Sequence, residues 1–215
     1  MLLRKNETVV FIGDSVTDDG RARPVGERLS GLGNGYVRLI DCFLEADYPE
    51  YNIRTVNMGI SGNTTADLLA RWDDDVTARK PTTVVLCIGF NDVWRQFDSP
   101  MQPEYAVTPE QYRANLNTFA DKTSAKMIWM TPYYLEPNTD DAMRKRMDEY
   151  GAIVKEEAKK RNIPCIDLQA AFADILQHRY SAFITWDRIH PGPLGSLIIA
   201  RAFLKGIGAE RSVGK

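Results

Sequence analysis

Cysteine is scarce, and its spacing pairs nothing. The 215-residue chain has three, Cys42, Cys87 and Cys165, far apart and with no C-x-x-C spacing. Neither a disulfide framework nor a thiolate metal site is written there. Cys87 and Cys165 fall in apolar, strand-like runs and read as buried reduced thiols. Histidine is scarcer still, with only His178 and His190. Long apolar runs are missing: none approaches the roughly 18 residues that span a bilayer, so no membrane partner is expected. The opening MLLRKNETVVFIGD has neither an apolar segment of secretory length nor a small-residue cleavage site, and a cytoplasmic location is the expectation. Excess charge is absent too. With 27 Lys and Arg against 29 Asp and Glu, the net charge is -2, which argues against nucleic acid as a partner. No repeat, low-complexity tract or linker interrupts residues 1–215, so one domain is expected.

What is present is an alternation. The runs TVVFIG (8–13), IRTVNMG (53–59), TTVVLCIG (82–89), AKMIWMT (125–131) and IPCID (163–167) read as strands. Helical periodicity covers 34–47, 64–79, 109–122, 140–161 and 168–178, and a last helix is written in PLGSLIIARAFLKGIG. Thr108, Pro109 and Gln111 spell a capping box with proline at the first helical position. Strand and helix in alternation imply parallel strands joined by right-handed crossovers. The expected fold is therefore a three-layer α/β domain, a five-stranded parallel sheet with helices on both faces. Residues 90–108 read as one long loop.

In an open parallel sheet the binding crevice lies beyond the carboxyl ends of the strands. Those ends read GDSVTD, GISGNT, GFND and TPYYLE, and WDRIHPG follows late in the chain. Gly-Asp-Ser alone is ordinary turn chemistry, and a serine hydroxyl is a poor nucleophile without a base. His178 sits near a helix end, where a cation suits the dipole. His190 stands three residues after Asp187, a spacing that lets the carboxylate orient one ring nitrogen while the other faces Ser15. Gly62 and Asn91, with the N–H of Ser15, offer three candidate donors for a developing oxyanion, while Asn91 also reads as a turn residue and Gly62 as a helix entry.

The blocks GDSVTD, GISGNT, GFND and DRIHP resemble, in order, the four blocks of the SGNH or GDSL hydrolases, esterases and lipases on a flavodoxin-like α/β fold. The longer strings FIGDSVTDDGRARP, GNGYV, ISGNTTADLLARW, NDVWRQFD, MTPYYLE and WDRIHP are similar to intracellular acetylxylo-oligosaccharide esterases. The resemblance implies Ser15 as nucleophile, His190 as base and Asp187 as its orienter. It implies an oxyanion hole made by Ser15, Gly62 and Asn91, with no metal or cofactor. Phe90, in GFND, departs from the commoner family pattern of a second glycine or an isoleucine.

Aromatic side chains with polar neighbours suit sugar faces, so Trp94, Arg95 and Trp186 are expected to bind substrate, with Asp14 as a further contact or as a support beneath the site. The expected partner is an acetylated sugar, and a homo-oligomer is compatible with these features. Two other readings use the same residues. One is a short-chain esterase or thioesterase of broader specificity. The other is a metal-dependent phosphatase built on Asp14, Asp18 and Asp19, which leaves Asp187 and His190 without a role.

Overall fold

The structure, a computed structural model, describes residues 1–209. One six-stranded sheet is formed by β1 (Thr8–Gly13), β2 (Gly26–Glu27), β3 (Arg54–Asn57), β4 (Thr83–Cys87), β5 (Lys126–Met130) and β6 (Cys165–Ile166). Their order across the sheet is β2-β3-β1-β4-β5-β6. The five strands read from the sequence are all parallel neighbours in it. The expectation of a purely parallel, five-stranded sheet needs one correction. β2 adds an antiparallel edge, pairing Gly26 with Asn57 and Glu27 with Val56. Two residues carry no alternation to read, so the strand exists only through its partner.

The helices are α1 (Ser15–Asp18), α2 (Tyr36–Asp47), α3 (Thr65–Asp75), α4 (Phe90–Asp98), α5 (Pro109–Lys122), α6 (Ala142–Lys160), α7 (Leu168–His178) and α8 (Pro193–Gly206). α5 and α7 have the expected bounds, and the Thr108–Gln111 capping box closes as written. The helix expected over 64–79 stops at Asp75 and gives way to a 3-10 turn, Thr77–Arg79. The loop expected over 90–108 is also corrected, because its first half is α4. Phe90, Val93, Trp94 and Phe97 repeat at helical spacing, and Phe90 and Val93 are buried.

α2 packs against α8 and α8 against α7, while α3 packs against α5 and α5 against α6. The two groups cover opposite faces of the sheet. Phe11 of β1 meets Phe203 of α8 with ring centroids 5.4 Å apart. On the other group, Trp72 of α3 stacks on Phe119 of α5 at 4.5 Å. Every residue of β4 is buried, as a strand covered on both sides must be. From β1 the sheet grows to one side through β3 and to the other through β4. That reversal opens a crevice at the carboxyl end of β1, where Ser15 stands.

Candidate active site

α1 begins as β1 ends. Asp14 caps it, its Oδ1 accepting the Val16 N–H at 3.0 Å, and Ser15 is the first helical residue. Ser15 Oγ lies 2.7 Å from Nε2 of His190, and His190 Nδ1 lies 2.5 Å from Asp187 Oδ2. The sequence thus brings together three side chains from opposite ends of the chain. With Nδ1 protonated and donating to Asp187, Nε2 is free to accept the serine proton.

Asp187 divides its oxygens between two tasks. Oδ2 meets the imidazole, while Oδ1 accepts the N–H groups of Ile189 at 3.0 Å and His190 at 2.8 Å and the Thr185 hydroxyl at 2.9 Å. Burial opposes ionisation of this carboxyl, but the hydrogen bonds from His190, Ile189 and Thr185 outweigh it and bring its pKa down to about 2. The same contact with Asp187 raises the pKa of His190 against the opposing effect of burial. Between the two residues, Arg188 takes a left-handed φ of 70°. Its carbonyl accepts the Leu135 N–H at 2.9 Å, and its guanidinium pairs with Glu136 at 3.0 Å. Tyr133 donates to the Ile189 carbonyl at 2.6 Å, so the segment after β5 holds the Asp-His loop in place.

Ile60 to Asn63 forms a β-turn, the Asn63 N–H donating to the Ile60 carbonyl at 3.3 Å. Gly62 sits at its third position with φ 85°, the angle that a type II turn requires there. Asn91 lies in the first turn of α4, and its amide Nδ2 donates to the Asn63 carbonyl at 3.0 Å. Its Oδ1 faces Arg95 Nη2 at 3.4 Å. That donor on one end of the amide fixes the other as N–H, and its second amide hydrogen meets no acceptor among the described residues. Among the described residues, no acceptor within the chain takes the N–H of Ser15 or Gly62. Arg95 also pairs with Asp98 one turn on.

Two indoles flank the imidazole. The Trp186 ring is nearly parallel to His190, 8° between planes and 6.2 Å between centroids, and it is 82% exposed. Trp94 approaches at 5.6 Å and packs partly on the core. Asp14, expected among the substrate contacts, has no exposed surface. Its Oδ2 is buried without a partner, and burial together with nearby Asp92 pushes its pKa up to about 7. It lies beneath the site and cannot touch substrate. His178 ends α7, exposed and 4.0 Å from Asp174.

Two of the three acids of the phosphatase reading are already committed elsewhere. Asp14 is enclosed, and Asp18 is engaged by Ser61 and Arg23. Among the described residues no group of three or more His, Cys, Asp or Glu side chains is placed to hold a metal ion.

Sequence reasoning missed three supports. Thr185 steadies Asp187 from two residues upstream. Asp92 accepts the Thr65 N–H at 3.0 Å and fixes the start of α3. Arg71 donates to the carbonyls of Gly13 (3.0 Å) and Met58 (2.8 Å) and to Asn63 Oδ1 (2.7 Å), joining the ends of β1 and β3. Only Asp92 carried a signal, as the fourth residue of GFND.

Residues 11–198 match the model of the GDSL-like lipase/acylhydrolase family. The chain is 49% identical over 214 residues, 98% of each sequence, to an acetylxylan esterase of Geobacillus stearothermophilus. It is 29% identical over 158 residues to the Esterase TesA of Pseudomonas aeruginosa, covering 70% of this chain and 67% of that one. The crystal structure of the Geobacillus enzyme superposes with a TM-score of 0.96 and covers 99% of this chain and all of its own. An alpha/beta hydrolase from the metagenome of Lake Arreo, Spain, 44% identical, also gives 0.96, with 99% of this chain and all of that one covered. Structures of the Geobacillus enzyme with a serine, an aspartate or a histidine replaced are described as those of catalytic mutants.

Proposed function

The chain belongs to the GDSL-like lipase/acylhydrolase family, and from that premise we propose that it is a serine esterase removing acetyl groups from short xylan fragments. The observation that carries this reading is the unbroken contact from Ser15 through His190 to Asp187 at the open end of β1. The 49% identity to an acetylxylan esterase supports the choice of substrate.

Ser15 Oγ attacks the acetyl carbonyl carbon as its proton passes to His190 Nε2. The imidazolium that forms is stabilised by the Asp187 carboxylate. The carbonyl electron pair moves onto oxygen, and the resulting oxyanion is met by the N–H of Ser15, the N–H of Gly62 and the free amide hydrogen of Asn91. Collapse breaks the bond to the sugar, whose oxygen takes the proton from His190. Water then attacks the acetyl-serine with His190 as base, acetate leaves, and Ser15 is regenerated. Every step uses groups of this chain, the substrate and water. The open face of Trp186, with Trp94 behind it, offers an aromatic surface to the sugar, and Arg95 serves chiefly by orienting Asn91. One contiguous core supports a single-domain reading, and three free thiols suit a reducing compartment.

The similarity to Esterase TesA keeps a broader acyl specificity in view. The test compares wild type with Ser15→Ala on acetylated xylo-oligosaccharides and on acetyl and octanoyl aryl esters. The expected result is release of acetate by wild type, preference for acetyl over octanoyl, and near-complete loss in Ser15→Ala. Full activity in that variant overturns the mechanism. A preference for octanoyl leaves the hydrolase standing and moves the substrate to longer acyl chains.

A further inference from the structure

An oxyanion hole assembled from two backbone N–H groups works only if both lie about 2.7–3.1 Å from one oxygen. Here the donors come from separate segments, Ser15 at the end of β1 and Gly62 in the turn beyond β3. Their spacing needs a physical tie, and we propose that Asp18 is that tie. It acts as a positioning residue that locks the Gly62 turn to the short helix carrying Ser15.

α1 has four residues, Ser15 first and Asp18 last, so whatever Asp18 grips is held in fixed relation to the nucleophile. Its Oδ2 accepts the N–H of Ser61 at 3.1 Å, the Ser61 hydroxyl at 3.0 Å and Arg23 Nη2 at 2.5 Å. Ser61 is the residue before Gly62 and the second position of the turn. The flanks of the turn are held elsewhere, the Ile60 N–H donating to the Gly13 carbonyl at 3.1 Å and Arg71 reaching Asn63. Asp18 grips the middle, where both Ser61 and Gly62 are exposed and have little else to restrain them.

The chemistry of the grip fits this role. The Asp18 side chain is 4% exposed; its Oδ1 is buried without a partner, so the donors that answer the buried carboxylate all meet Oδ2. Burial opposes its charge, but hydrogen bonds from Arg23 and Ser61 outweigh that and hold it ionised. Arg23 also neutralises a charge that would otherwise oppose the oxyanion.

The inference rests on the esterase reading, so one readout is independent of it. Asp18→Ala and Asp18→Asn are compared with wild type on 4-nitrophenyl acetate, with rates taken per active site from burst titration. Hydrogen exchange of the Ser61 and Gly62 amides is measured without substrate. Misplacing a donor should lower kcat about tenfold to a hundredfold in Asp18→Ala. KM should stay within about twofold, and the acid limb of the pH profile, set by His190, should not move. Asp18→Asn keeps an acceptor for Ser61 and should fall between, which preserves the test if Asp18→Ala fails to fold. The Ser61 amide should exchange faster in both variants. Unchanged exchange, a kcat within twofold of wild type in both variants, or a loss confined to KM overturns the proposal. If wild type hydrolyses no acetyl ester, the functional reading fails, and the exchange data still decide whether Asp18 holds the turn.

Discussion

Asp187 shows how one side chain can both build a loop and set a tautomer. Oδ1 collects two backbone N–H groups and the Thr185 hydroxyl, while Oδ2 alone faces the ring. In Asp187→Asn the amide oxygen can stay with the loop donors, and Nδ2 then turns toward His190. An N–H there cannot accept from Nδ1. The imidazole must place its proton on Nε2, and in that tautomer it cannot take the proton of Ser15. The fold should survive with little change in KM, while kcat falls by roughly 10³–10⁴. Steady-state kinetics, with a thermal melt to show that the loop is intact, check this. An alternative in which Asp187 merely supports the loop predicts a near-normal kcat. The pair was legible in the sequence because both partners sit three residues apart in one short string. Thr185 and Arg71 were not, since a threonine before an acid and an arginine on a helix are common and only the folded chain shows their acceptors.

At the scale of elements, two glycines near the end of β3 separate packing from conformation. A Cβ on Gly59 would stand 2.3 Å from the Asp18 nitrogen and 2.7 Å from the Thr17 carbonyl carbon. Both are backbone atoms of α1 and cannot yield, so Gly59→Ala should push the helix off the strand. It should cost at least about 1–3 kcal/mol, as an overpacked core does. A Cβ on Gly62 meets nothing within 4 Å, but its φ is 85°. Gly62→Ala should therefore cost only about 1–2 kcal/mol of backbone strain, while disturbing the N–H proposed to meet the oxyanion. Denaturant melts and kcat read together should show Gly59→Ala chiefly as a stability defect and Gly62→Ala chiefly as a rate defect. The reverse pattern would remove Gly62 from the oxyanion hole. Elements with long periods were readable in the sequence, as α5 and its capping box show. β2 was not, because two residues have no period. α4 was overlooked although Phe90, Val93, Trp94 and Phe97 repeat correctly, since Asn91 and Asp92 at its start look like a turn.

Taken as a whole, the molecule carries two sets of carboxyls with opposite pH behaviour. Asp14 and Asp92 are enclosed, and burial raises their pKa values to about 7 and about 6. Each binds a proton more tightly folded than unfolded, so each lowers stability as pH rises from about 4 through its folded pKa. His190 has the same sense, its raised pKa favouring the fold at low pH and losing that contribution as pH rises through it. Glu157 and Asp187 run the other way. Burial would raise them, but hydrogen bonds, to Lys160, Asn117 and Arg113 for Glu157, bring both to about 2. Their stabilisation is present above about pH 4.5 and is lost as pH falls toward 2. The two windows barely overlap, so the thermal midpoint should peak near pH 4–5. Activity requires neutral His190 and should still be rising there, which separates the optimum for folding from the optimum for catalysis. Asp14→Asn provides the check, because asparagine keeps the oxygen that caps Val16 and cannot ionise. Each pKa unit corresponds to about 1.4 kcal/mol, so the variant's stability relative to wild type should climb steadily between about pH 4 and pH 7. A difference that stays flat across that range would mean that Asp14 remains ionised in the folded protein and that a buried partner holds its charge.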